Sequence, residues 1–344
     1  MTKILKAAIV GCGSISSVHA NAIQNIANLV AICDSDTAKT AKFSQTYKNV
    51  ENFQNCRIYK NFEEMLNIGG IDVLHVCLPH FLHEPVSVYA MQRGVNVLCE
   101  KPMSISLQEG ENMVNAAKNN GVTLGVIFQN RYNPGVQLAK KALDNGKLGK
   151  IKSGYLKVTW FRDENYYKSD WRGKWQTEGG GVLINQSIHT FDLMNYFLAN
   201  KLDYVSASIS NRAHPYIEVE DVAEGVICYG DVKISFYVNT FHPYDSPVAL
   251  KLICENGTIS IIGDSTTISY LDGTQETVAP ETDTTLPAGA KSYWGVSHKK
   301  QISDFYEAIV QQKTPQIDGA EALKTQRLIC GIYESAKTGK PFEF

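Results

Sequence analysis

At 344 residues, 44% of them hydrophobic, the chain exceeds what one small domain needs and carries enough apolar side chains to build two separate cores. Its 33 basic and 35 acidic residues leave a formal charge of −2, and no basic block stands out. That balance argues against nucleic acid or an anionic membrane as a partner.

Short β-type runs alternate with helical stretches over the first part of the chain. The runs at 7–10, 30–33, 73–78, 95–99 and 123–128 read as strands, while 84–93 and 108–119 have helical composition, with Gly94 and Gly121 as terminators. Such alternation predicts βαβ units and a parallel sheet. The pattern changes after about Gly149. Residues 151–162 and 203–270 hold longer runs rich in Val, Ile, Thr, Tyr and Ser, broken by Tyr229-Gly230-Asp231, Asn256-Gly257 and Asp272-Gly273. These predict hairpins in a mostly antiparallel open sheet. Two helices should cover that sheet. One runs over 182–198; the other, near the C-terminus, is marked by Asp318 with Glu321 and carries Leu328, Ile329, Ile332, Tyr333 and Ala336 on one face. Residues 279–293, rich in Pro, Thr and Gly, predict a mobile loop.

Eight cysteines, at 12, 33, 56, 77, 99, 228, 254 and 330, form neither a C-x-x-C pair nor a close Cys/His cluster. Reduced thiols and no metal site are therefore expected. The first ten residues pass from a brief polar start straight into a strand, so a soluble cytoplasmic protein is expected as well.

The chemistry-bearing motifs begin with Gly11-Cys12-Gly13, which follows a strand and opens a helix. Gly11 can make the tight turn and Gly13 admits a pyrophosphate, with Ser14 and Ile15 completing the candidate cofactor contacts. The third glycine position is Ser16, which predicts looser helix–strand packing. Asp34, 23 residues after Gly11, stands where a carboxylate accepts hydrogen bonds from ribose hydroxyls. Asp34 and Asp36 flank the place of a 2′-phosphate and no arginine is adjacent, so NAD is favoured over NADP. Leu78-Pro79-His80 and His83-Glu84-Pro85 form a turn expected along the cofactor, with Pro79 and His83 as contacts. No ligand-spaced partner accompanies His80 or His83, so hydrogen bonding or helix initiation is the expected histidine role.

Lys101 lies between Glu100 and Pro102 after the apolar run 95–99, which places an ammonium at the carboxyl edge of the parallel sheet. Glu100 and Lys101 are both candidate cofactor contacts. Downstream, Gly179-Gly180-Gly181 precedes the expected helix 182–198, on which Asn185, His189 and Asp192 share one face. A polar stripe there is costly unless it is paired or faces a cavity. Trp160, Arg162, Tyr166, Tyr167, Trp171, Arg172 and Trp175 crowd a short upstream stretch. This set suits a sugar or a subunit interface. Arg162, Tyr167, Trp171 and Arg172, with Asn185 and His189, are the candidate substrate contacts.

The chain resembles the Gfo/Idh/MocA family of sugar and cyclitol oxidoreductases over almost its whole length. The likeness is carried by the Gly11–Gly13 turn with His19, by Glu100-Lys101-Pro102, and by Gly179 through His189. The resemblance implies an α/β protein with an N-terminal Rossmann domain, here 1–128, and a C-terminal substrate-binding and oligomerisation domain, here 129–344. It implies a homodimer or homotetramer, Lys101 beside the nicotinamide and the reacting hydroxyl, and His189 as acid/base. Many members carry aspartate where Asn185 stands. A neutral amide can hold a hydroxyl but cannot take its proton.

Oxidising a secondary alcohol needs a base, a group that stabilises alkoxide charge, and an aligned hydride acceptor. Free imidazole titrates at about 6.5, so His189 is the expected base, with Lys101 stabilising the oxygen and Asn185 positioning a neighbouring hydroxyl. Three readings stay open. The first is a dehydrogenase that releases NADH on oxidising a sugar, cyclitol or sugar derivative. The second retains NAD and uses transient oxidation for hydrolysis, elimination or epimerisation. The third is a non-catalytic NAD-binding regulator.

Overall fold

The computed structural model describes residues 4–198, 202–279 and 297–344. Most of the loop expected at 279–293 lies outside the described residues.

Six strands, β1 (Leu5–Val10), β2 (Ala27–Cys33), β3 (Arg57–Tyr59), β4 (Val73–Val76), β5 (Asn96–Cys99) and β6 (Leu124–Val126), form a parallel sheet in the order β3-β2-β1-β4-β5-β6. The central strands β1, β4 and β5 are buried almost throughout, which is why they read as continuous apolar runs rather than alternating ones. The strand order reverses beside β1, so the glycine turn that follows β1 lies at the switch point where open α/β sheets bind ligands. Helices Ser16–Ile23, Thr37–Tyr47, Phe62–Asn67, His83–Met91 and Leu107–Asn120 connect the strands. Ser106 caps the last of these by accepting the Glu109 amide, and Gly121 ends it at φ +63°.

The chain divides into two compact units, and residues 297–323 belong with the first. The expected boundary, which gave everything after residue 128 to the second domain, is corrected for this segment. Helix His298–Gln311 buries Ile302, Phe305 and Tyr306 in the same core as Ile9, Leu98 and Ile127. Gln301 donates to the Val126 carbonyl and accepts the Phe128 amide, clamping the helix to the β6 end of the sheet. Gly125 makes room for it. A Cβ there would stand 2.7 Å from the Phe305 ring.

The second unit holds β7 (Ile151–Thr159), β8 (Tyr204–Ser210), β9 (Val222–Tyr229), β10 (Val232–Asn239), β11 (Ala249–Cys254), β12 (Gly257–Ile262), β13 (Ser265–Tyr270), β14 (Gln275–Val278) and β15 (Phe342–Glu343). Among the described residues these form a nine-stranded sheet in the order β14-β13-β12-β11-β7-β10-β9-β8-β15, antiparallel except for β7 with β10. The three expected turns join β9 to β10, β11 to β12 and β13 to β14. Alternation along the strands is clear: Ile234, Phe236, Leu250 and Leu252 are buried, while Lys233, Ser235 and Tyr155 face outward. Helix Ile188–Leu198 covers the buried face, with Phe191 edge-on to Phe236.

That helix is shorter than expected. Residues 181–187 form turns instead, so Asn185 does not share a helical face with His189 and Asp192. The Ser187 hydroxyl takes the Val182 and Leu183 carbonyls that a helical ladder would use, and the Glu220 carboxylate takes the Gly181 and Leu183 amides.

Candidate active site

The glycine turn is built by the sheet around it. Gly11 has φ +87°, its amide donates to the Cys33 carbonyl, and a Cβ there would collide with the Cys77 carbonyl. Gly13 differs, because a Cβ on it would meet nothing within 4 Å. Ser14 is exposed and Ile15 half-buried beside that open space. Ser16 is fully buried and its hydroxyl closes the turn onto the Gly13 carbonyl at 2.6 Å, so the expected loosening of helix–strand packing does not occur. Asp34, half-buried at the end of β2, accepts the Cys12 amide at 2.8 Å and the Asp36 amide at 2.9 Å. Asp36 in turn caps helix Thr37–Tyr47. Burial, with Asp34 nearby, pushes the Cys12 thiol up to about 12, so it stays protonated and is not a nucleophile.

Lys101 follows β5, half-buried, with a cis peptide to Pro102. Its neighbour Glu100 anchors a buried chain of hydrogen bonds. One Glu100 oxygen is 2.9 Å from His19 Nε2 and 3.7 Å from His298 Nε2; the other accepts the Lys101 amide at 3.2 Å. Burial alone would raise the Glu100 pKa, yet the two histidines outweigh it and hold the carboxyl well below its usual range. The chain continues from His19 Nδ1 to His75 Nδ1 at 2.7 Å, and from His75 Nε2 to the Tyr306 hydroxyl at 2.8 Å. Glu100 is thus a buried anchor of the Lys101 backbone. His83 is likewise a brace rather than an open contact: it is fully buried, and its two ring nitrogens face the Pro102 and Leu78 carbonyls at 2.7 and 2.8 Å. It ties the loop after Lys101 to the Leu78-Pro79 turn.

In the second unit, His189 is half-buried on the first turn of helix Ile188–Leu198. Asp192 forms a bidentate pair with Arg131, both side chains 1% exposed, and accepts the Thr325 hydroxyl. Its charge is therefore spent on packing. Asn185 donates from Nδ2 to buried Glu178 at 2.6 Å and to the Tyr166 hydroxyl at 3.1 Å. Two expected substrate contacts are buried beside Tyr166. Tyr167 is in a small core with Ile217 and Val219, and its hydroxyl reaches Thr240. Arg162 is 4% exposed and bonded to Asp245. Trp171 and Arg172 remain half-buried, with the Arg172 guanidinium 4.3 Å over the Tyr166 ring.

Two family models match this chain. The Gfo/Idh/MocA oxidoreductase model with an NAD-binding Rossmann fold covers residues 5–128, and the Gfo/Idh/MocA C-terminal domain model covers 136–260. The chain belongs to the Gfo/Idh/MocA family of oxidoreductases.

Among relatives of this Gfo/Idh/MocA protein, glucose-6-phosphate 3-dehydrogenase of Bacillus subtilis is 28% identical, over 68% of this chain and 66% of its own. The NAD-dependent scyllo-inositol 2-dehydrogenase of the same species is 22% identical, over 98% and 96%. Among solved structures, the WlbA dehydrogenase of Bordetella pertussis in complex with NADH and UDP-GlcNAcA is 27% identical, with TM-score 0.84 and 99% of each chain covered.

The residues at the first unit's switch point fit the dinucleotide that the family implies. Space beside Gly13 is open, helix Ser16–Ile23 starts with no side-chain cap and no acidic residue in its first turn, and Asp34 offers a carboxylate at the adjacent strand end. Among the described residues no group of three or more His, Cys, Asp or Glu could hold a metal ion, no cysteine forms a disulfide, and no helix is long and apolar enough to cross a membrane.

Sequence reasoning missed the partners that hold these groups. His298, which meets Glu100, and His75 and Tyr306, which join it through His19, carry no motif and come together only through the fold. Glu178 and Glu220 carry no motif either, and Tyr333 reads from the sequence only as a core-facing helix residue. Glu220 is 2% exposed and bonded to the Gly181 and Leu183 amides and the Tyr333 hydroxyl; burial pushes its pKa up to about 7. The run Gly179-Gly180-Gly181 was the available signal. A Cβ on Gly180 or Gly181 would collide with Tyr333 or with the Glu220 backbone.

Proposed function

We propose that the protein is an NAD-dependent dehydrogenase acting on a secondary hydroxyl of a sugar, cyclitol or sugar derivative. The observation that carries this reading is the Asp34 carboxylate bonded to the Cys12 amide of the glycine turn, in a chain whose relatives include dehydrogenases of a sugar phosphate and an inositol. Gly11, Gly13, Ser14, Ile15, Asp34 and Pro79 would hold the dinucleotide. Two carboxylates, Asp34 and Asp36, near the ribose end disfavour a 2′-phosphate, which supports NAD over NADP.

NAD, when bound, supplies the hydride acceptor. His189 takes the hydroxyl proton as general base, the Lys101 ammonium stabilises negative charge on the reacting oxygen, and Asn185 orients a neighbouring hydroxyl. Asn185 has its amide held by Glu178 and Tyr166, which keeps its orientation fixed before substrate arrives. Glu100 acts on Lys101 through the backbone.

The test is a panel of sugars, sugar phosphates, sugar acids and inositols incubated with NAD or NADP, followed by ultraviolet absorbance. NADH formation on one class, at least about tenfold faster with NAD than NADP, is expected. Substrate consumed without NADH accumulation would instead support the reading in which the cofactor is retained. No consumption of any polyol, with NAD still bound, would support the regulator.

A further inference from the structure

We propose that Tyr166, Gln186 and Arg172 form a subsite in the second unit that takes a sugar-like substrate through an oxyanion group, carboxylate or phosphate, and an adjoining hydroxyl. The inference rests on the dehydrogenase reading and narrows its substrate class to acidic sugars.

Three separate features meet at Tyr166. The first is the Tyr166 hydroxyl, whose oxygen accepts one hydrogen bond from Asn185 Nδ2 at 3.1 Å and one from Gln186 Nε2 at 3.0 Å. A phenolic oxygen can accept two hydrogen bonds and donate one. With both acceptor positions filled, its proton is left for a third group, and none of the described residues accepts it. Burial raises the Tyr166 pKa despite Arg172 nearby, so the hydroxyl stays a donor across the working range.

The second feature is Gln186. The residue is 7% exposed, and its Oε1 has no hydrogen-bond partner among the described residues. Reversing the amide would give the Tyr166 proton an acceptor but strand the NH2 group where Oε1 now lies, so a buried polar group stays unmet in either orientation. A buried polar atom left this way destabilises the free protein. A ligand hydroxyl at this position recovers that cost.

The third feature is the charge of Arg172. Its guanidinium lies 4.3 Å over the Tyr166 ring and 4.8 Å over the Trp171 ring. Among the described residues it makes one long hydrogen bond, 3.4 Å, to the Tyr166 carbonyl, and its buried Nε has no partner. No described carboxylate pairs with it. Arg162, which also stacks on Tyr166, is neutralised by Asp245, and buried Glu178 is engaged by the Gly173 amide and by Asn185. Aromatic walls thus hold a planar donor fork in place with its counter-ion missing. Carboxylate and phosphate are the groups that match such a fork.

The experiment is isothermal titration of the full chain, saturated with NADH, with D-glucuronate, D-glucose 6-phosphate and D-glucose. One of the anions should bind at least about tenfold more tightly than glucose, as expected for a charge-assisted hydrogen-bonded pair. Tighter glucuronate identifies a carboxylate, and tighter glucose 6-phosphate a phosphate. Arg172→Met should cut that advantage below about threefold, and Arg172→Lys, which keeps charge without the fork, should retain part of it. Tyr166→Phe keeps the ring beneath Arg172 and should weaken anion and glucose alike by about tenfold. Glucose binding as tightly as both anions, or an Arg172→Met protein that keeps the anion preference, overturns the subsite. Neutral polyols oxidised with no anion preference would reject the subsite while the dehydrogenase reading stands. Anions bound through Arg172, with no polyol ever oxidised, would do the reverse.

Discussion

His19 and His75 share a hydrogen bond between their Nδ1 atoms, 2.7 Å long, with both rings fully buried. Only one of the two can donate. Ionised Glu100 can only accept, so His19 Nε2 donates to it. With His19 carrying a proton at Nε2 alone, its Nδ1 accepts, His75 donates from its own Nδ1, and His75 Nε2 accepts the Tyr306 hydroxyl; with His19 protonated at both nitrogens, its Nδ1 donates to His75 and His75 Nε2 donates to Tyr306. The proton on His19 Nδ1 thus sets the direction of the bonds between His19, His75 and Tyr306. Burial, with His19 beside it, lowers the His75 pKa well below its usual value, in keeping with a neutral ring there.

Nitrogen-15 NMR of labelled histidine separates the two forms, and in both His75 should carry a single ring proton, at Nδ1 or at Nε2. Tyr306→Phe strands His75 Nε2 and should cost about 1–3 kcal/mol in urea unfolding. A doubly protonated His75, or a variant as stable as the unaltered protein, would contradict this arrangement.

Asp34 makes a second prediction. Its carboxylate stands at the end of β2 and fixes the glycine turn through the Cys12 amide. Asp34→Ala removes an acceptor for ribose hydroxyls together with a negative charge. NAD affinity should fall by about tenfold or more, and NADP affinity should fall much less or rise. Fluorescence titration with NADH and NADPH reads both. Equal losses for the two cofactors would show that Asp34 supports the turn without reading the ribose.

The Arg131–Asp192 pair is buried on both sides, with Thr325 adding a third bond. Asp192→Ala leaves a guanidinium without its counter-charge in the core, and a loss of about 3–5 kcal/mol is expected in chemical denaturation. Replacing Arg131 and Asp192 together with apolar residues should cost less than the single change. A single variant within about 1 kcal/mol of the parent would show that water reaches the site.

Glu220 ties pH to the turn that carries Asn185. Its pKa, pushed up by burial to about 7, exceeds the ordinary value of 4.5. The folded state therefore binds the proton more tightly than the unfolded state does. Its contribution to stability is complete below about 4.5 and is lost as pH rises through about 7. Unfolding midpoints should fall between pH 5 and 8 by an increment that Glu220→Gln removes. An unchanged slope in that variant would assign the pH dependence to another group.

Much of this was legible in the sequence, and the reasons differ by element. The parallel strands announced themselves as apolar runs ended by glycine, because strands buried on both faces have no polar side to show. The hairpins of the second sheet were given by Gly230, Gly257 and Gly273, each at positive φ in the structure. Helix His298–Gln311 was not among the expected elements, although Ile302, Phe305, Tyr306 and Ile309 follow helical spacing, and nothing local tells which of two cores a helix will join. The positions of candidate site residues were legible where a motif is local: Gly11 makes the turn after β1, and Lys101 follows β5. They were not legible where function rests on residues brought together by folding. Tyr306 and His75 are 231 positions apart, and Asn185 left its helix because Glu220 and Ser187 bind the backbone groups around it.

The central claim is that Lys101 serves catalysis in an NAD-dependent oxidation rather than cofactor binding alone. The most direct measurement compares Lys101→Ala with the parent chain on the best substrate of the panel, following NADH release by absorbance and NADH binding by fluorescence. The account predicts turnover reduced by at least about a thousandfold, with NADH affinity changed by less than about fivefold. A variant that turns over within about tenfold of the parent would contradict it.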